Sequence, residues 1–129
     1  MRVGLATDVG AGTGFSLLRT LGDAYSVSQA RAAPLSGLRG FYLATLGGAR
    51  ALYLDEFIGN FSPGREADFV VLDWAATPEL DWRMERTQSL AERLFALMIL
   101  GDERCVVATH VMGERVFQRI RPGYQPGLA

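Results

Sequence analysis

Gly4-Leu5-Ala6-Thr7-Asp8-Val9-Gly10-Ala11-Gly12-Thr13-Gly14-Phe15-Ser16 is the stretch on which the fold turns. Arg2 to Thr7 is short and apolar, and it reads as a buried strand ending at Asp8. Gly10, Gly12 and Gly14 then give the backbone the freedom a tight turn requires. From Phe15 to about Arg31 the apolar residues Phe15, Leu18, Leu21 and Tyr25 fall near helical spacing. Ser16 is placed to cap that helix, and Pro34 stops it. A strand, a Gly-rich turn and a helix in this order predict an α/β fold.

Outward from that unit, Leu35 to Leu46 reads as a second helix with Leu38, Phe41, Tyr42 and Thr45 on one face. Gly47-Gly48 is expected to break it, leaving a short third helix over Ala49 to Leu54. Phe57 to Gly64 reads as turns, Ala67 to Asp73 as a strand, and Trp74 to Arg86 as a loop around Pro78. Thr87 to Leu100 predicts an amphipathic helix, with Ala91, Leu94, Phe95 and Met98 on its apolar face and Gly101 at its end. Arg104 to Val111 and Glu114 to Phe117 read as a hairpin turning at Met112-Gly113. The Pro- and Gly-containing residues that follow are expected to form a loose tail. The first strand has no partner nearby in sequence, although a lone strand cannot satisfy its own backbone hydrogen bonds.

Composition narrows the function classes. The 129 residues are 49% hydrophobic and 21% charged, which is a globular composition. A formal net charge of -1 gives no reason to expect a nucleic acid or an anionic membrane as partner. All 13 basic residues are Arg, and they are scattered along the chain. The longest apolar run in the second half, Leu94 to Leu100, is too short to span a bilayer. Cys105 is the sole cysteine, which excludes an intrachain disulfide and leads us to expect a cytoplasmic location. It is expected to be a packing residue, and the sole histidine, His110, a surface or packing residue.

Asp8-Val9-Gly10-Ala11-Gly12-Thr13-Gly14 resembles the Asp-x-Gly-x-Gly-x-Gly signature of methyltransferases that bind S-adenosylmethionine. It is not the dinucleotide fingerprint, which would need glycine where Phe15 stands. The methyltransferase reading requires a second apolar strand ending in an acidic residue about twenty residues on. Ser26 to Gly40 has no acidic residue and no β-branched run. Taken alone, Asp8 could equally be an ordinary turn or capping residue.

Several blocks in order favour a different family. Thr7-Asp8-Val9-Gly10-Ala11-Gly12-Thr13, with Phe15-Ser16-Leu17-Leu18-Arg19-Thr20 after it, resembles the eighth barrel strand of guanine deaminases and the helix that follows. Ala44-Thr45-Leu46-Gly47-Gly48-Ala49 and Gly64-Arg65-Glu66-Ala67-Asp68-Phe69-Val70 resemble stretches found across amidohydrolases. Leu100-Gly101-Asp102-Glu103-Arg104 and the hairpin at Met112-Gly113 are similar to the end of that family's chain.

The resemblance implies a C-terminal fragment of a (β/α)8 barrel, since a barrel needs about 250 residues. Residues 1–57 would be the end of the barrel and residues 58–118 part of a composite β-sandwich domain with one helix. Residues 119–129 would be a tail. It implies hydrolysis of guanine to xanthine and ammonia by a Zn²⁺-activated water. Asp8 matches the family's carboxylate that binds the metal and takes the water's proton. The other expected ligands, a His-x-His and two further histidines, are not in this sequence, nor is the His-x-x-Glu acid. We therefore expect Zn²⁺ and guanine to bind only the complete enzyme, in which this chain meets the missing N-terminal barrel and forms a homo-oligomer. The alternatives are a methyltransferase-like module and a non-catalytic interaction domain built on an amidohydrolase tail.

Overall fold

A computed structural model describes residues 1–120. Five helices and three strands make a mixed helix and strand structure in the order α1 (Leu17–Ala30), α2 (Gly37–Ala44), α3 (Leu46–Ala51), β1 (Phe69–Leu72), α4 (Pro78–Met84), α5 (Leu90–Leu100), β2 (Val106–Val111) and β3 (Glu114–Gln118). A 3₁₀ turn, Glu103–Cys105, joins α5 to β2.

The core lies among the helices. Leu18 and Leu21 of α1, Leu80 of α4, Ala96, Leu97 and Met98 of α5, and Cys105 form one buried cluster. Three consecutive buried residues on α5 mean that it is covered on more than one side, and α1, α2 and α4 all pack on it. The one-faced stripe expected for this helix is corrected accordingly. Ala91 is exposed and Leu94 and Phe95 are only half-buried. The Phe95 ring meets Tyr25 of α1 edge-on, with centroids 5.3 Å apart. Each fully buried leucine contributes about 1.5–3 kcal/mol relative to an exposed one.

The sheet is antiparallel, with order β1-β2-β3. Phe69 lies opposite His110 and Val71 opposite Ala108, and both pairings contain an irregularity in register. The hairpin forms where expected. Met112 and Gly113 both have positive φ (52° and 84°), as a two-residue turn between right-twisted strands requires. A glycine takes that backbone freely. Met112 does not, and its N–H is held by the Asp68 carboxylate at 2.7 Å.

Several expectations are corrected. Arg2 to Thr7 is not a strand, and it is largely exposed. Its backbone bond to the rest of the chain is Leu5 N–H to the Leu43 carbonyl (2.9 Å), so no extended neighbour completes a ladder there. Asp8 consequently follows an extended segment and does not end a strand. Gly47-Gly48 does not break a helix. The interruption is Thr45, whose backbone leaves helical geometry and whose hydroxyl bonds back to the Phe41 carbonyl at 2.7 Å, while both glycines lie inside α3.

The loop expected over Trp74 to Arg86 contains α4. Thr77 caps it by accepting from Leu80 N–H at 3.3 Å, Pro78 sits in its first turn, and Glu79 and Asp81 favour the positive helix end. The stretch 58–118 therefore carries two helices rather than one. Arg104 belongs to the 3₁₀ turn, not to β2. Of the expected tail, Arg119 donates its N–H to the Val107 carbonyl (2.7 Å) and its guanidinium to Asp73, so it continues the sheet. Residues 121–129 lie outside the described residues.

Candidate functional site

The Gly-rich turn is built from backbone hydrogen bonds. The Asp8 carbonyl accepts from the N–H groups of Ala11 (3.0 Å) and Gly12 (2.6 Å). Asp8 itself has φ 48°, a left-handed conformation that is uncommon outside glycine but tolerated by aspartate. A Cβ at residue 12 would run into the Thr7 carbonyl, so only glycine lets the chain fold back this closely. The Asp8 side chain ends up exposed, free to meet something outside this chain.

The turn is fastened to α1 by the Thr13 hydroxyl, which donates to a carboxylate oxygen of Asp23. Ser16 occupies the expected N-cap position with extended backbone, but its side chain makes no capping bond. Further along α1, Arg19 donates to Glu103 from Nε at 3.2 Å and lies 3.9 Å from Asp102. Asp102 is nearly buried. It accepts from the Arg104 backbone at 2.9 Å and pairs in fork geometry with the Arg104 guanidinium at 2.7–3.0 Å. Those bonds from Arg104 hold its carboxyl below the usual range, against the opposing effect of burial.

The remaining chemistry-bearing residues lie elsewhere. His110 is half-buried in β2, its ring stacked on Phe69 at 4.3 Å and 9°, and its Nδ1 has no hydrogen-bond partner. Cys105 is wholly buried in the helical core, and desolvation pushes its thiol pKa up, which makes it a poor nucleophile or ligand. The structure thus places Asp8, His110 and Cys105 on three different elements.

Among the described residues no three His, Cys, Asp or Glu side chains come together in a way that could hold a metal. A zinc site needs three or four protein donors, and a single carboxylate does not make one. The residues present do not by themselves fit the metal that the family implies. The methyltransferase reading also loses its second requirement, because Ser26 to Gly40 holds the end of α1, a connection and the start of α2 where a strand was needed. Among the described residues no helix is long and apolar enough to cross a membrane.

The model of the amidohydrolase family matches residues 1–116, nearly the whole described chain. The chain belongs to the amidohydrolase family. Guanine deaminase of Escherichia coli strain K12 is 50% identical over 119 residues, covering 92% of this chain and 27% of that protein. The solved structure of the E. coli guanine deaminase superimposes with a TM-score of 0.89, over 92% of this chain and 28% of the other. That of guanine deaminase from Bradyrhizobium japonicum does so with a TM-score of 0.83 at 37% identity, over 93% and 32%. A guanine deaminase from C. acetobutylicum, solved with guanine bound in its active site, gives 0.65 at 26% identity, over 89% and 27%. This amidohydrolase chain therefore spans little more than a quarter of the length of the curated relatives it matches.

Two features of the site were out of reach of motif reading. The Thr13–Asp23 bond spans ten residues and the Arg19–Glu103 pair spans 84, and neither follows a recurrent spacing. The only local signal is that Arg19 and Asp23 stand four residues apart on one side of α1, with no acidic partner for Arg19 nearby in sequence other than Asp23 itself. That spacing does not point to Thr13 or Glu103.

Proposed function

We propose that this amidohydrolase chain is the C-terminal part of an enzyme that hydrolyses guanine to xanthine and ammonia. The observation that supports it is the 50% identity to the E. coli guanine deaminase, matched by a TM-score of 0.89 over 92% of this chain. In this reading residues 1–57 complete a (β/α)8 barrel and residues 58–118 complete a β-sandwich domain. The open ladder positions of residues 2–7 then pair with a barrel strand from another segment. The complete enzyme is a cytoplasmic homo-oligomer.

Asp8 is the residue this chain contributes to the chemistry. Its exposed carboxylate supplies one donor to a zinc centre whose remaining donors lie outside the chain, and it takes up a proton during hydrolysis. The strained backbone at Asp8 and the collision-limited Gly12 fix where that carboxylate can point.

The test is complementation with the N-terminal segment of E. coli guanine deaminase that this chain does not cover, by co-expression or fusion. The complemented protein is expected to form xanthine from guanine with Zn²⁺, and the chain alone is not. A folded, complemented protein without guanine turnover overturns the proposal. So does full turnover after Asp8→Ala.

A further inference from the structure

The geometry points to Thr13 and Asp23 as the pair that positions the Asp8 turn. Among the described residues, no other side-chain hydrogen bond or ion pair ties residues 8–14 to the rest of the chain. Among the described residues the turn has little else to hold it. Val9 and Phe15 on either side are exposed, at 67% and 84%, so no apolar anchor sits within it. Its internal bonds, Ala11 and Gly12 to the Asp8 carbonyl, define its shape but not its place.

Asp23, in contrast, stands on a fixed frame. It lies two residues beyond Leu21, which is 1% exposed, on a helix whose Leu18 and Leu21 are in the core. Side chains on a helix lean toward its N-terminus, which carries the Asp23 carboxylate back toward Thr13. The hydroxyl-to-carboxylate bond is charge-assisted, so it belongs to the stronger class of side-chain hydrogen bonds. Thr13 lies five residues from Asp8 in a chain that folds back on itself at Gly12. Fixing Thr13 therefore anchors one end of the turn to α1, and the internal bonds of Ala11 and Gly12 to the Asp8 carbonyl carry that restraint back to Asp8.

Neither residue touches substrate in this reading; both act through Asp8. The role rests on the guanine deaminase proposal above for its effect on turnover, but not for its effect on the turn. Losing the latch should misplace the Asp8 carboxylate by a fraction of an ångström to about an ångström, which lowers kcat on the order of tenfold or more. Binding of guanine should barely change.

The test uses Thr13→Val, Thr13→Ser, Asp23→Ala and the Thr13→Val/Asp23→Ala double variant in the complemented enzyme. Thr13→Val and Asp23→Ala should each lower kcat on the order of tenfold with KM within about twofold. The double variant should be no worse than either single, and Thr13→Ser should restore turnover. Additive losses, an equal fall in Thr13→Ser, or undiminished kcat in Thr13→Val overturn the assignment. Should the complemented wild type fail to turn over guanine, the functional reading fails but the latch is still decided. Amide exchange at Ala11 and Gly12 in the 129-residue chain should then quicken in Thr13→Val and Asp23→Ala and not in Thr13→Ser. Unchanged exchange overturns it.

Discussion

The Asp8 turn and the helical core around α5 are held by opposite means. Leu80 and Leu97 are 0% exposed and locked by neighbours on several helices. The turn is exposed, carries a non-glycine residue at φ 48°, and is tied down by one side-chain bond. Stability and the proposed chemistry are thus placed in separate parts of the chain. The core is sensitive to loss of volume, and its one thiol, Cys105, is kept unreactive by burial. The turn offers a carboxylate and adds almost nothing to the core. Such a division suits a residue that must meet partners from outside its own segment.

The sharpest way to break this comparison is Asp8→Ala. It should lower guanine turnover in the complemented enzyme by about 10²–10⁴-fold, the range for loss of a general base, while leaving the urea midpoint of the chain in place. A large fall in that midpoint would mean that the turn supports the fold after all. Leu97→Ala should do the reverse, costing about 2–5 kcal/mol of stability by opening a cavity at the centre of the helices. Urea titration followed through Trp74 and Trp82 fluorescence measures it.

Asp102→Asn comes next, at about 1–3 kcal/mol, because it weakens the fork with Arg104 and the tie to Arg19. The wild-type carboxyl titrates below its unfolded value, so its contribution is complete above about pH 4 and fades as pH falls through the lowered folded-state pKa. The variant should lose that part of the acid sensitivity. The smallest effect is expected for His110→Ala, about 0.5–1.5 kcal/mol from the lost stack on Phe69, with the zinc requirement of turnover unaltered. A changed zinc requirement would make His110 more than a packing residue.

What the sequence disclosed follows the same division. Periodic apolar residues marked α1, α2 and α5, and Met112-Gly113 marked the hairpin, because those signals are local. Residues 2–7 carried a strand-like pattern without becoming one, since a strand is completed by a neighbouring strand and none pairs with them among the described residues. Pro78 reads as part of a loop, although Thr77-Pro78-Glu79 has the features of a helix start. At the candidate site, the glycines announced a tight turn, but nothing in them distinguished a cofactor loop from a carboxylate on display. That distinction came from the blocks beyond the turn. The Thr13–Asp23 and Arg19–Glu103 contacts arise from tertiary placement and leave no periodic trace.

The bond between Arg19 and Glu103 also bears on how the chain is made. The first helix finds its electrostatic partner 84 residues later, and its apolar face waits for α5 over nearly as long a stretch. At a synthesis rate of about 5–20 residues per second, α1 leaves the ribosome several seconds before either partner exists. During that interval α2 is the first helix of this chain available to pack on α1. A pause in translation between α1 and α5 would lengthen that interval.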